Sequence, residues 1–234
     1  MITSTNLKKR SHYKYDLHVH TVESSFCAFV KAKEMVGLYK KAGYAGIMIS
    51  DHYYPGYFDT LKKLSWEEKI DRFLLGYHEA LAEGKNLGIK VLLGAEFLFS
   101  DHDRNHFLVF GLTEEFLKNN PKLYNLTQQE FKEFIKETDL LIYQAHPFRK
   151  GCSVVSSDLL DGIEIYNGNS NHDSFNQLAH QFAVDHSLRI CSGSDFHHER
   201  DLAKGGVILE QSIDNSQELA RLMKNDLIKE IITS

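Results

Sequence analysis

Two histidines at i and i+2 close an apolar run near the N-terminus, in Asp16-Leu17-His18-Val19-His20. Alternate residues of a strand share a face, so His18 and His20 would project side by side from one rigid element. Neutral imidazole is a good ligand for zinc, manganese or iron, and a paired presentation suits a metal ion. Two polar residues on a strand face is the plainer explanation, and recurrence decides between them. Residues 45–50 run into Asp51-His52, residues 91–95 into Glu96, residues 140–145 into His146-Pro147, and residues 189–194 into Asp195-Phe196-His197-His198. His106 differs, standing before the apolar run Phe107-Leu108-Val109-Phe110. Any one of these is easily a packed histidine or a helix-capping aspartate; the repetition at successive run ends is what points to a metal centre.

Short apolar runs alternating with helical stretches must position these residues. Strands are expected over 13–20, 45–50, 89–99, 106–111, 140–144, 162–166, 189–192 and 207–209. Helices are expected over 33–42, with Gly43 as the residue that ends it, over 175–186 and over 215–224. Ser65-Trp66-Glu67-Glu68 and Thr127-Gln128-Gln129-Glu130 have capping-box spacing. They open one long helix toward Leu87 and another to about Thr138. Strands alternating with helices predict a parallel sheet. About seven such units fit a closed or nearly closed barrel, whose active site lies at the C-terminal strand ends, where the candidate ligands fall.

At 234 residues the chain reads as a single domain, residues 1–234, with a polar, basic tail over 1–12. Apolar residues make up 42% and charged residues 25%, the composition of a soluble globular protein. The formal net charge of −5 argues against a dedicated binder of long nucleic acid, which needs a basic field. Three cysteines, Cys27, Cys152 and Cys191, form no CxxC pair, so a reducing cytoplasm is expected. No apolar run approaches the ~18–20 residues of a membrane span, so no membrane partner is expected.

The ordered set Asp16-Leu17-His18-Val19-His20-Thr21, Ser50-Asp51-His52, Gly94-Ala95-Glu96, Ala145-His146-Pro147 and Ser194-Asp195-Phe196-His197 resembles the polymerase and histidinol phosphatase (PHP) family. The resemblance runs over about residues 13–205. It implies an α/β fold, a distorted (β/α)7 TIM-like barrel, holding two or three divalent metal ions, usually zinc, manganese or iron. Carried over by position, His18, His20, Glu96 and Asp195 would hold a first metal. Glu96, His106 and His146 would hold a second, with Glu96 bridging, and His52 and His197 would contribute to a third. The family often has His or Asp near Ser25 or Phe26, where this chain reads Glu23-Ser24-Ser25-Phe26-Cys27; Glu23 or Cys27 is the available substitute.

The implied activity is hydrolysis of a phosphate ester by a metal-activated hydroxide, since paired ions clamp the attacking and leaving oxygens of an in-line displacement. The substrate would be a small phosphorylated compound, such as a phosphomonoester, a nucleotide or a short oligonucleotide. Besides Glu96, the catalytic candidates are Arg149, placed to fork onto a phosphate, and His198, a proton donor to the leaving group. Each competes with a solvent-facing role. Asp16 and Asp51 are read as carboxylates orienting imidazoles or as turn residues. Glu164 and Asn167 are expected near substrate or ligands, and Tyr53-Tyr54-Pro55-Gly56-Tyr57-Phe58 either walls the pocket or covers core. His12, His78, His102, His172, His180 and His186 are read as surface or packing residues. An amidohydrolase-like enzyme, which also uses HxH and a late Asp, and a non-catalytic metal-binding module are the competing functions. Nothing in the sequence indicates an oligomeric state.

Overall fold

A computed structural model describes residues 12–233; the expected tail lies almost entirely outside the described residues. Strand β1 (Tyr13–Val19) leads through α1 (Ala32–Lys41) to β2 (Gly46–Ile49), and β3 (His52–Tyr53) follows at once. Helices α2 (Pro55–Asp59), α3 (Trp66–Phe73) and α4 (Leu75–Leu87) precede β4 (Lys90–Leu93), β5 (Ala95–Phe97) and β6 (Phe107–Phe110). Then come α5 (Glu114–Asn119), α6 (Gln128–Phe134), β7 (Leu141–Gln144), β8 (Gly162–Asn167), α7 (Asn176–Asp185) and β9 (Arg189–Gly193). The chain finishes with β10 (Gly205–Leu209), α8 (Ser216–Lys224) and β11 (Glu230–Thr233).

The strands form two sheets, ordered β11-β10-β1-β2-β4 and β3-β5-β6-β7-β8-β9. This α/β arrangement is mixed, where an all-parallel sheet was expected. Strand β6 runs antiparallel to β5 and β7, and β10 runs antiparallel to β1 and β11. The reversal of β6 accounts for the odd position of His106. Phe97 at the end of β5 pairs with Phe107 at the start of β6, so the start of this strand shares a rim with the C-terminal ends of its neighbours. The expected strand over 89–99 is two strands in different sheets. The break falls at Gly94, where a Cβ would meet the Met48 sulfur at 2.6 Å. The expected long helix from residue 65 breaks at Leu74, while both capping boxes form as their spacing predicts.

Between the sheets lies an apolar cluster that includes Tyr15, Leu17, Met48, Leu92, Leu108, Phe110 and Tyr143. Helix α8 closes one end of it with Leu219, Leu222 and Met223, and the Tyr15 hydroxyl accepts from the Ile213 amide at 3.0 Å. An aromatic cluster under α2, α3 and α6 holds the second sheet, with Tyr53, Phe58, Phe73, Phe97 and Phe131 among its members. With one end plugged, the polar residues gather at the other.

The sheets also meet where the end of β1 runs parallel to the chain just after β9. The Phe196 amide donates to the His18 carbonyl at 3.2 Å, and the His20 amide donates to the Phe196 carbonyl at 3.1 Å. Gly193 permits this approach, because a Cβ there would sit 2.2 Å from the His18 Cβ. Gly193→Ala should therefore destabilise by about 1–3 kcal/mol through overpacking and displace His18 as well. Thermal denaturation with a parallel metal titration checks both effects; wild-type behaviour in both would contradict the close fit.

Candidate metal centre

Buried strands seldom carry charge without a partner. In β1 the residues from Tyr15 to Val19 are all buried, Asp16 and His18 included. The pairing register slips between Asp16 and Val19 in β1 and between Glu164 and Tyr166 in β8. Such bulges re-aim side chains, and here the His18 Nδ1 and Glu164 Oε1 atoms lie 2.9 Å apart. Glu164 also accepts from the His146 amide at 2.9 Å and from Asn167 Nδ2 at 3.0 Å. It is the carboxylate that orients an imidazole. Asp16 and Asp51 instead tie distant chain segments together beside the cluster. Asp16 accepts from the amides of His18 and Ser194 and from the Tyr39 hydroxyl; Asp51 accepts from the Thr21 amide and the hydroxyls of Thr21 and Ser25.

Glu96 lies at the middle of the cluster. Its Oε1 is 3.4 Å from His18 Nε2, 3.1 Å from His106 Nδ1 and 3.1 Å from His146 Nε2. Its Oε2 is 2.6 Å from His52 Nδ1 and 3.6 Å from His20 Nε2. Asp195 Oδ1 stands 3.4 Å from His18 Nε2, 3.3 Å from His20 Nε2 and 3.3 Å from His197 Nδ1. The structure thus gathers the eight sequence-derived ligand candidates His18, His20, His52, Glu96, His106, His146, Asp195 and His197. They overlap as four groups of converging donors: His18/His20/Glu96, His18/His146/Asp195, His52/Glu96/His106 and His20/His52/His197. His146 and Asp195 hold positive φ values of 28° and 51°, a strain that residues without special duties seldom keep.

Ionisation follows from burial and neighbours. Burial opposes the charge on Glu96, yet the imidazoles of His106, His52 and His18 hold its carboxyl well below the usual range. Burial likewise opposes Asp195, and the charge on His18 holds it low. Burial and the neighbouring charges of His52 and His197 push His20 well down. Burial also disfavours charge on His52 and His146. The Glu96 carboxylate nevertheless lifts His52 to about 10, and contacts to Cys152 and Glu96 lift His146 to about 9. Burial raises the Cys27 thiol, but hydrogen bonds to His197 and His52 outweigh it and bring it to about 6.

The residues fit metal ions. His18 Nε2, His20 Nε2 and His146 Nδ1 are buried and make no hydrogen bond, and orphaned polar atoms of this kind are costly unless something binds them. Imidazole nitrogen with carboxylate oxygen suits zinc, manganese and iron. Uptake has a sign. The raised values of His52 and His146 mean that a metal arriving at pH 7 displaces their protons, so affinity should rise with pH toward about 9–10 and fall below neutrality. Calorimetric zinc titration at pH 7, in buffers of different ionisation enthalpy, should read release of about three protons, from His18, His52 and His146; uptake without proton release would contradict the assignment.

Around the cluster, a cavity of about 250 Å³ is lined by His52, His106, His146, Asp195 and His197 together with Arg149, Asn169, Asn171 and His172. Arg149 therefore faces the centre. The His198 ring stacks on Phe29 with centroids 4.3 Å apart, and its amide donates to Asp201. His172, read from sequence as a surface or packing residue, presents a buried Nε2 with no partner, and burial pushes it down to about 4. Asn169 donates to the Asp195 carbonyl at 2.9 Å. Neither residue ends an apolar run, so no pattern announced it. A second cavity of about 260 Å³ is lined by Phe26, Cys27, His52, Tyr54, Glu96, Leu98 and His106. Of the aromatic loop, Tyr54 lines this cavity, while Tyr53, Tyr57 and Phe58 belong to the core. Glu23 accepts from the Ala32 amide at the start of α1; Cys27 is the residue that reaches the cluster.

Fold and site together define an α/β protein with a buried cluster of histidines and carboxylates that could bind metal. The chain belongs to the PHP domain family, which matches residues 16–233. The fold recurs in a two-domain protein from Bacteroides vulgatus containing a predicted PHP-like metal-dependent phosphoesterase, at 16% identity and a TM-score of 0.62. That match covers 93% of this chain and 64% of the other, so this chain spans less than two thirds of it. PsfC from Pseudomonas syringae matches at 15% identity and a TM-score of 0.63, over 96% of this chain and 92% of its own. An amidohydrolase from Chromobacterium violaceum, solved with bound sulfate and no metal, matches at 18% identity and a TM-score of 0.51, over 78% of this chain and 87% of its own. At such identities the likeness concerns the fold. No curated protein matches the sequence. Among the described residues no helix is long and apolar enough to cross a membrane.

Proposed function

We propose that the protein hydrolyses a small phosphate ester at this centre, with His18, His20, Glu96 and Asp195 holding one divalent ion and Glu96, His106 and His146 a second. The observation that carries the reading is the set of orphaned, buried donors beside a small cavity faced by an arginine. The ions, zinc, manganese or iron, supply Lewis-acid activation of water and neutralise phosphate charge. The chain's own residues do the rest. Arg149 is placed to fork onto phosphate oxygens. His172, neutral at pH 7, offers an unpartnered nitrogen to a hydroxyl or phosphate oxygen. Glu164 keeps His18 in one orientation through Nδ1.

Cavity size bears on substrate class. About 250 Å³ is below the ~300–1,000 Å³ usual for drug-sized ligands. That favours a monoester or mononucleotide, or the end of a short oligonucleotide, over a bound duplex. The two sheets, joined where the end of β1 pairs with the chain after β9, support a single distorted (β/α)7-type barrel as the scaffold. The amidohydrolase among the structural neighbours keeps an amide-cleaving alternative in view.

The test is product release by protein reconstituted with manganese or zinc, with His18→Ala as control. The panel holds p-nitrophenyl phosphate, histidinol phosphate, mononucleotides, a short oligonucleotide and a cyclic amide. Phosphate release that disappears in the variant supports the proposal. Turnover of the cyclic amide alone would replace it with the amidohydrolase reading, and no turnover with metal bound would favour a non-catalytic module.

A further inference from the structure

A larger cavity lies at the other end of the strands, where α8 closes the space between the sheets. It measures about 560 Å³ and sits among α7, the start of β9 and the stretch from Met223 into β11. Strand β9 begins at Arg189, against this cavity, and runs toward Asp195 in the metal centre, so the two sites occupy opposite ends of one strand. We propose that the cavity is a second binding site, for a small uncharged molecule that is mostly apolar and presents one hydroxyl or carbonyl group to the Tyr143 hydroxyl.

Tyr143 carries the argument. It is fully buried, and its hydroxyl finds no hydrogen-bond partner among the described residues. Native proteins rarely leave such a group unpaired. The ring crosses the neighbouring strand, which only a glycine allows: a Cβ at Gly162 would lie 2.2 Å from Tyr143 Cε1 and 2.4 Å from Cζ. Tyr143 pairs with Gly162 across β7 and β8, and Gly162 pairs in turn with Arg189 of β9. The side chain thus reaches from β7 over β8 toward β9. The other lining residues come from α7, α8, β9, β11 and the turns between them. It is therefore the hydroxyl end of Tyr143 that meets the cavity.

The walls and rim say what fits. Val184, Leu188, Ile190, Met223 and Ile228 supply apolar surface. The cations are already engaged. Arg189 Nε donates to Asp226 Oδ1 at 3.1 Å and its Nη2 to the Lys224 carbonyl at 3.0 Å, while Lys229 Nζ stands 3.4 Å from a Glu210 carboxylate oxygen. An anionic ligand would have to break these pairs. Glu230 is exposed, where a charge gains little from pairing, so a cation finds no strong partner either. An uncharged molecule meets neither obstacle. The volume lies within the ~300–1,000 Å³ usual for small-molecule sites. A single water can pair with the hydroxyl, but water needs two or more polar partners and would not fill an apolar space of this size.

The test titrates the full chain with 4-ethylphenol and with ethylbenzene, which differ by one hydroxyl, and follows methyl resonances by nuclear magnetic resonance. Both probes should shift the methyl signals of Met223 and Ile228. The phenol should bind about tenfold more tightly, the size of one net hydrogen bond. Tyr143→Phe keeps the ring that packs on Gly162 and should bind both probes with affinities within about twofold of each other. Val184→Trp fills the cavity from an exposed position on α7 and should weaken both. Three results overturn the proposal: no shift at millimolar probe, equal affinities in wild type, or a phenol preference that survives Tyr143→Phe. None of them depends on metal or on phosphate turnover, so the outcome is separate from that of the hydrolase reading.

Discussion

Glu96→Gln should reduce phosphate-ester turnover on the order of 10³-fold while leaving the fold in place. The amide keeps the shape of the side chain but removes the negative charge that five imidazoles share: His18, His20, His52, His106 and His146 all place a ring nitrogen 2.6–3.6 Å from its carboxylate. A bridging carboxylate supports more than one ion, so its loss removes several kcal/mol of charge stabilisation; about 4 kcal/mol corresponds to three decades in rate. Initial rates on p-nitrophenyl phosphate at saturating manganese, with elemental analysis of bound metal, check the result. Turnover within about tenfold of wild type would remove Glu96 from the centre of the chemistry.

Metal loading should raise the thermal transition by roughly 8–16 °C, and chelation should reverse it. A ligand present at about 1,000 times its dissociation constant stabilises by about 4 kcal/mol, and a chain of this size gains about 2–4 °C for each kcal/mol. The metal-free centre has reason to be weak, because it buries His18 and His20 with ring nitrogens that make no hydrogen bond. Scanning fluorimetry with zinc and then with a chelator measures the shift, and Glu96→Gln should flatten it. An unchanged transition in wild-type protein would mean that no ion is held in the folded state.

Much of this site is legible in the sequence because its residues end apolar runs. His18 and His20 close β1, Glu96 follows Gly94, His146 follows β7, and Asp195 follows β9; each is visible as a polar residue where a buried strand stops. His106 is visible as a residue but not as a member of the pattern, since local propensity carries no information about strand direction and β6 runs backwards. The same limit hides the break at Gly94. An apolar stretch reads as one strand even when its halves join different sheets. Leu74 is itself an ordinary helix former, and Gly76 two residues on, packed against Thr21, is the one local sign of the break after α3. Asn169 and His172 reach the centre from a loop whose path is set by tertiary contacts with Asp195 and Asp201. The roles of Asp16 and Asp51 depend on which hydrogen-bond donors come within reach of their carboxylates, and those donors lie partly on other elements.

The pairing of β1 with the chain after β9 sets a schedule for assembly during synthesis. His18 leaves the ribosome early, yet its partners Glu164 and Asp195 are made much later. At ~5–20 residues per second, the stretch from His18 to His197 takes roughly 10–40 s to complete. Until then the nascent chain carries unsatisfied imidazoles and one half of a seam, so the full centre cannot form on a partial chain. Any metal uptake by the full centre therefore waits until the chain is almost complete.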